Sequence, residues 1–478
     1  MAATLVVPLF ADDLADCSQR LERFPALRLQ PHMGARHAVT WIYGGHGEPD
    51  LVLIGLGEAA EFEPAIIREA AGNAGRALRR EKKAAASLTF EALQSAGRFD
   101  GVSPDFVSGW VEGMQLGAYS FDKYKSGAAD SAGVRITFRC DENEDEAWQE
   151  AVRLGELRAD STIWARDLTN EPPNGLRPRM LADRAIQRFA GTSVQAKLVE
   201  GEQLELQGFA GLAAVGKGSA FPPVFLELRY TTDESLPLTA LIGKGITFDT
   251  GGISLKQDRD ISDMRMDMGG AAAVLGALDL IVRSGAAANV AVLVPAAENC
   301  PSDRSLLPGE TIRYANGLTV QVGNTDSEGR LILADALIHA NRLGSAVAID
   351  IATLTYAVIG ALGSKIAAVV GDDGLAAKLR QAGVPYGEKL WQMPLEPEYE
   401  PYMDSDYADL CNISRVGEAG VITSSLFLRK FVHPSMRWAH IDMNGPKASA
   451  SAQGQYAIGA TGFGVRLLAE YLMNRAHE

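Results

Sequence analysis

Histidine is scarce where a metal or nucleophile site would need it. The 478-residue chain has seven, and none lies between His46 and His339. No HExxH pair occurs, so a histidine-rich zinc site is a poor fit. The four cysteines, Cys17, Cys140, Cys300 and Cys411, are far apart, form no CxxC and show no nucleophile context. That spacing argues against a disulfide framework and for a reducing, cytoplasmic compartment. No complete Walker A or GxGxxG motif is present: Lys244 and Gly245 sit in "GKG" without the hydroxyl residue or the spacing of a phosphate loop. Long hydrophobic runs are also missing. The longest, residues 351–364, is interrupted by Gly and Thr, falls short of the roughly 18 residues of a membrane span, and reads as buried strand and loop. The first residues lack a basic region and soon meet Asp12 and Asp13, so no secretory signal is expected. Positive charge is in deficit. A formal net charge of -15 disfavours non-specific attraction to nucleic acid or anionic membrane.

What is present is a large, ordinary globular composition, 47% hydrophobic and 22% charged, long enough for two or three domains. Residues 38–43 and 51–57 read as strands, 63–84 as a helix apolar on one face and basic on the other, and 133–140 as a further strand. The acidic run 141–146 marks a boundary, and a long connecting helix over 146–172 ends by the proline pair Pro172-Pro173. Beyond residue 180, continuous apolar strands (238–243, 289–297, 345–354) alternate with helical patterns (268–285, 330–344). The expected fold class is α/β. A larger domain, 146–478, carries a mainly parallel, doubly wound sheet covered by helices, and a smaller α/β domain occupies 1–145.

Three segments put unusual polar residues where strands should end, the place where such sheets gather their sites. "GKGITFDTGGISLK" (243–256) holds Lys244, Asp249 and Lys256. "MRMDMGGAAAV" holds Asp267 before a Gly-Gly-Ala helix start. "GNTDSEGRLILADAL" (323–337) holds Asp326, Glu328 and Arg330 at alternate positions. Each alone has a bland reading: an N-cap aspartate, a solvated lysine, a surface turn. Together they bring four carboxylates to one edge of one sheet. Like charges there would resist ionisation unless cations sat among them. Hard or borderline divalent ions are the natural counter-charge. That leaves a carboxylate-rich two-metal site, of the kind that activates water for hydrolysis.

These residues carry a resemblance. "NTDSEGRLILADAL" resembles the NTDAEGRLxLADAL signature of the leucyl (cytosol) aminopeptidase family. The segments around Lys244 and Asp267 resemble that family's other metal segments in the same order. "ARDLTNEPPN" (165–174), "WAHIDMNG" (438–445) and "GATGFGVRLL" (459–468) add to a likeness that covers nearly all of 160–470.

The resemblance implies a metal-dependent aminopeptidase, acting through a metal-bridging water or hydroxide on the first peptide bond. It implies two divalent ions per subunit, manganese or zinc. Asp249 and Glu328 would bridge them, Asp326 would complete one site, and Asp267 with a neutral Lys244 the other. One ion would bind the substrate's free α-amine. Lys256 would stabilise the gem-diolate, and Arg330 would hold a bicarbonate acting as general base. Met264, Asn324, Thr353, Leu354 and Tyr356 map onto substrate contacts. Tyr356 replaces a small residue near the side-chain pocket: facing inward it would narrow or polarise the pocket, facing outward it would pack at a subunit contact. The resemblance further implies a hexamer, and the charge-poor "TSSLFL" (423–428) is compatible with burial. Two other readings stay open. Some family members also bind DNA, and the basic residues over 68–83 could serve that role. A dinuclear site could instead hydrolyse phosphate esters, against which no arginine cluster accompanies the carboxylates.

Overall fold

The structure is a computed structural model that describes residues 4–14, 28–45, 48–90, 92–93, 97–126, 146–257 and 260–475. It divides into two compact units. The strand expected over 133–140 and the boundary run 141–145 lie outside the described residues.

The first unit comprises 1–163 with two later excursions, 384–387 and 449–459. Its sheet runs in the order β2 (Val39–Ile42), β3 (Leu51–Gly55), β1 (Thr4–Leu9), β4 (Ala86–Leu88). The helix Pro64–Arg80 starts on a proline, as pre-set φ favours, and buries its small apolar stripe with the helix Pro104–Ala118. Its basic face is not the free surface expected from the sequence. Arg68 is only 4% exposed and pairs with buried Glu112 at 2.8 Å. Arg76 donates to the carbonyls of Gly454 and Tyr456, Arg79 pairs with Asp122, and Lys83 pairs with Asp50. These four charges are spent on intramolecular partners, and Arg80 and Lys82 are the exposed cations of the run.

The second unit is built on a nine-stranded sheet. Its order is β14 (Lys389–Gln392), β13 (Ile366–Gly371), β16 (Arg437–Asp442), β12 (Val347–Ala352), β7 (Thr239–Gly243), β9 (Asn289–Asn299), β6 (Val224–Thr231), β5 (Gln195–Glu200), with β8 (Gly245–Asp249) also paired to β9. The centre, β16-β12-β7-β9, is parallel, and β5, β6 and the β13–β16 pair are antiparallel. A small sheet joins β10 (Thr311–Arg313), β11 (Thr319–Gln321) and β15 (Leu410–Cys411). β7 and β12 are buried at every position, as strands covered on both faces must be. The helices Gly269–Ser284 and Glu328–Arg342 are buried along most of their length. The long helix Glu146–Asn170 ends just before the proline pair.

One expectation is corrected. The apolar run 351–364 is not strand and loop throughout. β12 ends at Ala352, and Ala357–Leu362 forms a short helix of which only Val358 is buried. The Thr355 hydroxyl accepts the Val358 N–H and starts that turn, and a short apolar run does not announce such a switch of period. The burial compatible with the 423–428 sequence is found, and it is within its own chain: Leu426, Phe427 and Leu428 belong to the core of this unit. It therefore reports nothing about subunit contacts. Among the described residues, no helix is long and apolar enough to cross a membrane.

Candidate metal centre

The central parallel strands deliver the polar residues at their C-terminal ends. Lys244 interrupts the chain between β7 and β8, and its N–H donates to the Ile351 carbonyl of β12. Asp249 closes β8. The chain then turns through Gly251, whose φ of +90° suits glycine and whose N–H donates to Asp249 Oδ1 at 2.8 Å. Asp267 follows a short 3-10 turn and precedes the helix Gly269–Ser284. That helix can approach the strands only because Gly270 has no side chain: a Cβ there would lie 2.0 Å from the Ile351 oxygen. Glu328 opens the helix Glu328–Arg342, and Asp326 sits in the preceding turn, its N–H held by Asn324 Oδ1 at 2.8 Å.

The three segments meet. Asp249, Asp326 and Glu328 each offer an oxygen within 4.8 Å of the other two. Lys244 Nζ lies 2.7 Å from Asp267 Oδ2 and 2.8 Å from Glu328 Oε1. Lys256 Nζ lies 2.8 Å from Asp249 Oδ2 and also contacts Asp326 Oδ1. Thr353 Oγ1 donates to Asp267 Oδ1 at 2.7 Å, and Asn299 Nδ2 donates to Asp249 Oδ1 at 2.8 Å. A cavity of about 350 Å³ opens over them. It is lined by Lys244, Asp249, Lys256, Asp267, Asp326 and Glu328 together with Met264, Thr353, Leu354, Tyr356, Asn444 and Lys447.

Crowding perturbs the titrations. Burial, then the neighbouring Asp249 and Lys244, set Glu328 at about 7, and burial with Asp249 and Glu328 lifts Asp326 to about 6. Burial opposes the charge on Lys244, but Asp267, Glu328 and Asp249 overcome it and hold the ammonium above the ordinary lysine range. Lys256 is raised against burial by Asp249, Glu328 and Asp326. Perturbed groups converging in one cleft mark a functional site. The donor set fits divalent cations. It offers several carboxylate oxygens and one amine. Glu328 Oε2 is buried with no hydrogen-bond partner, an expensive state for a carboxylate unless an ion takes that oxygen.

Of the residues singled out in the sequence, Lys244, Asp249, Lys256, Met264, Asp267, Asp326, Glu328, Thr353, Leu354 and Tyr356 all line the cavity. Tyr356 is 46% exposed and its hydroxyl sits 3.8 Å from Met264 Sδ, facing the cavity. Asn324 and Arg330 stand behind the wall. Asn324 shapes the turn, and Arg330 is buried, donates from Nη1 to the Asn412 carbonyl at 2.8 Å, and keeps Nε without a partner. Burial lowers the Arg330 pKa to about 10. Asn299, Asn444 and Lys447 were not anticipated. Asn299 lies in no recognised segment, Asn444 lies within 438–445 but as a neutral amide with no role read from it, and Lys447 falls two residues beyond that segment, so only the fold could bring them in.

Comparison with known proteins supplies the remaining finding. Residues 163–469 match the model of the cytosol aminopeptidase family, catalytic domain, and residues 27–128 match that family's N-terminal domain. A "probable cytosol aminopeptidase" of Geobacter sulfurreducens is 41% identical over 88% of this chain and 84% of its own length. One from Gloeobacter violaceus is 35% identical over 92% and 88%. A solved structure described as the bottromycin maturation enzyme BotP in complex with Mn superposes with a TM-score of 0.87 at 32% identity, covering 99% of this chain and all of that one.

Proposed function

Since the chain belongs to the cytosol aminopeptidase family, we propose a division of labour among the residues of its cavity. The protein is a metal-dependent aminopeptidase, a hydrolase that acts on peptides from the N-terminal end. The family uses a dinuclear metal site, and the cluster of Asp249, Asp326 and Glu328 is the observation that carries its location here.

In this reading Asp249, Asp326 and Glu328, with Asp267 and Lys244 beside them, would hold the two divalent ions. Manganese is the first choice, because the BotP structure is a manganese complex; zinc is the second. When bound, such ions supply Lewis-acid polarisation of a carbonyl and a water of lowered pKa. Lys244 must give up a proton to act as a ligand, so metal loading releases protons. Thr353 and Asn299 orient Asp267 and Asp249 through their hydrogen bonds, as supporting partners of ligands do. Lys256 remains cationic, and its Nζ stabilises the oxyanion that develops at the scissile carbonyl. Arg330, with a buried unpartnered Nε, is the donor for a bicarbonate general base. Met264, Leu354 and Tyr356 form the substrate wall, with Asn324 supporting the turn behind it. Residues 146–478 make the catalytic domain, entered through the helix over 146–172, and 1–145 the variable N-terminal domain. A cytoplasmic homohexamer completes the reading by likeness to the family.

Hydrolysis of Leu-p-nitroanilide by metal-stripped protein tests it, with and without added Mn²⁺ or Zn²⁺, beside Glu328→Ala. Metal-restored release that the variant loses by at least about a hundredfold supports the assignment. Full turnover in Glu328→Ala would refute it.

A further inference from the structure

One cation on the cavity wall has no role in the reading above. Lys447 sits two residues past Gly445, beyond the end of β16. Its Nζ donates to Asn444 Oδ1 at 2.7 Å, and Asn444 Nδ2 donates onward to the Thr355 carbonyl at 2.8 Å. The chain Lys447–Asn444–Thr355 holds the ammonium against the wall that also carries Tyr356. Among the described residues Lys447 has no carboxylate partner. Lys244 and Lys256, which line the same cavity, each have two. A partly buried ammonium with one neutral acceptor has donors to spare. It leaves a gap that an anionic group can fill with a charge-assisted hydrogen bond.

The position decides which part of a substrate that is. Asn444 ties Lys447 to the Thr355 carbonyl, in the stretch between Leu354 and Tyr356, and Leu354, Tyr356, Asn444 and Lys447 line one cavity. Leu354 and Tyr356 belong to the substrate wall proposed above, and Tyr356 stands where the family resemblance puts the side-chain pocket. An anion held by Lys447 at that wall belongs to the side chain of the substrate's first residue. We propose that Lys447, fixed by Asn444, is a specificity-determining residue that takes the side-chain carboxylate of an N-terminal glutamate or aspartate. The proposal rests on the aminopeptidase reading. A cavity wall with Tyr356, Asn444 and Lys447 offers a leucine side chain three polar tips and a glutamate side chain its counter-charge.

The test uses the full-length, manganese-loaded protein and the p-nitroanilides of leucine, glutamate and glutamine. Glutamate and glutamine share a shape and differ in charge, so their ratio reads the ammonium in the unmodified protein. Glu should exceed Gln in kcat/KM by about tenfold or more, the effect of one hydrogen bond to a charged group. Lys447→Met should collapse that ratio through KM, and Lys447→Arg should keep it. A Glu/Gln ratio near one beside good leucine turnover overturns the proposal alone. So does a ratio that Lys447→Met leaves unmoved. Leu-Gly and Leu-Gly amide separate the other source of a carboxylate: if Lys447→Met erases a preference for the free C-terminus instead, the cation serves the far end of the peptide and the proposal falls. Cleavage of none of the substrates by metal-loaded protein would remove the aminopeptidase reading beneath it.

Discussion

Gly329→Ala puts a single methyl group where the structure has no room for one. Gly329 is the second residue of the helix Glu328–Arg342. A Cβ there would lie 2.6 Å from Lys244 Cε, 2.8 Å from Lys244 Nζ and 3.0 Å from Leu354 Cδ1. Ordinary contact starts near 3.5 Å, so the lysine tip must move by about 1 Å. Intrinsic preference pulls the other way, since alanine in a helix is favoured over glycine by about 1 kcal/mol. Overpacking costs about 1–3 kcal/mol in a rigid core, and less where a side-chain tip can swing away. The two effects nearly cancel, so the thermal midpoint of metal-free protein should move by only a few degrees. Function should not be spared. Lys244 is held at 2.7 Å from Asp267 and 2.8 Å from Glu328, and a displacement of about 1 Å at a reacting centre costs on the order of a hundredfold in rate. The assay pairs calorimetric Mn²⁺ binding with Leu-p-nitroanilide kinetics. Wild-type metal affinity and turnover in a folded Gly329→Ala protein would refute both the assignment of Lys244 and the packing argument.

Two further outcomes are expected. Glu328 and Asp326 are lifted to about 7 and about 6 from ordinary values of 4.5 and 3.8. Folded protein then binds more protons than unfolded protein across that window. These two carboxyls therefore lower the stability of metal-free protein as pH rises toward 7, while metals compete with the same protons. The rise in thermal midpoint on adding Mn²⁺ should be larger at pH 7.5 than at pH 5.5, and equal rises would count against the cluster as the binding site. Separately, Glu112→Ala leaves the buried Arg68 guanidinium without its carboxylate, at a cost of about 3–5 kcal/mol. Urea unfolding should show it as a lower midpoint, and an unchanged midpoint would mean that Arg68 is solvated.

Six of the cavity residues, Lys244, Asp249, Lys256, Asp267, Asp326 and Glu328, were legible in the sequence because each ligand segment is local, whereas Met264, Thr353, Leu354 and Tyr356 came only with the family resemblance. A glycine turn, a carboxylate and the start of a helix fit within a dozen residues, and apolar periodicity places such segments at the ends of parallel strands. The same periodicity announced β7, β9, β12 and the helices between them. What depended on contacts between distant segments did not show. Arg68 looks like one more charge on a basic face, and only Glu112, on another helix, reveals that it is buried. The run 423–428 shows its apolar character but not which surface covers it, and its own core does. Asn299 acquires meaning from Asp249, fifty residues earlier in the chain and paired with it across β8 and β9. Lys447 and Tyr356 reach one cavity because β16 and β12 lie side by side in the sheet. Sequence determined the chemistry that each segment could offer, because local pattern sets secondary structure and residue type sets reactivity. Tertiary structure decided which charges neutralise one another and which remain for a substrate, because burial and pairing depend on neighbours that chain order does not specify.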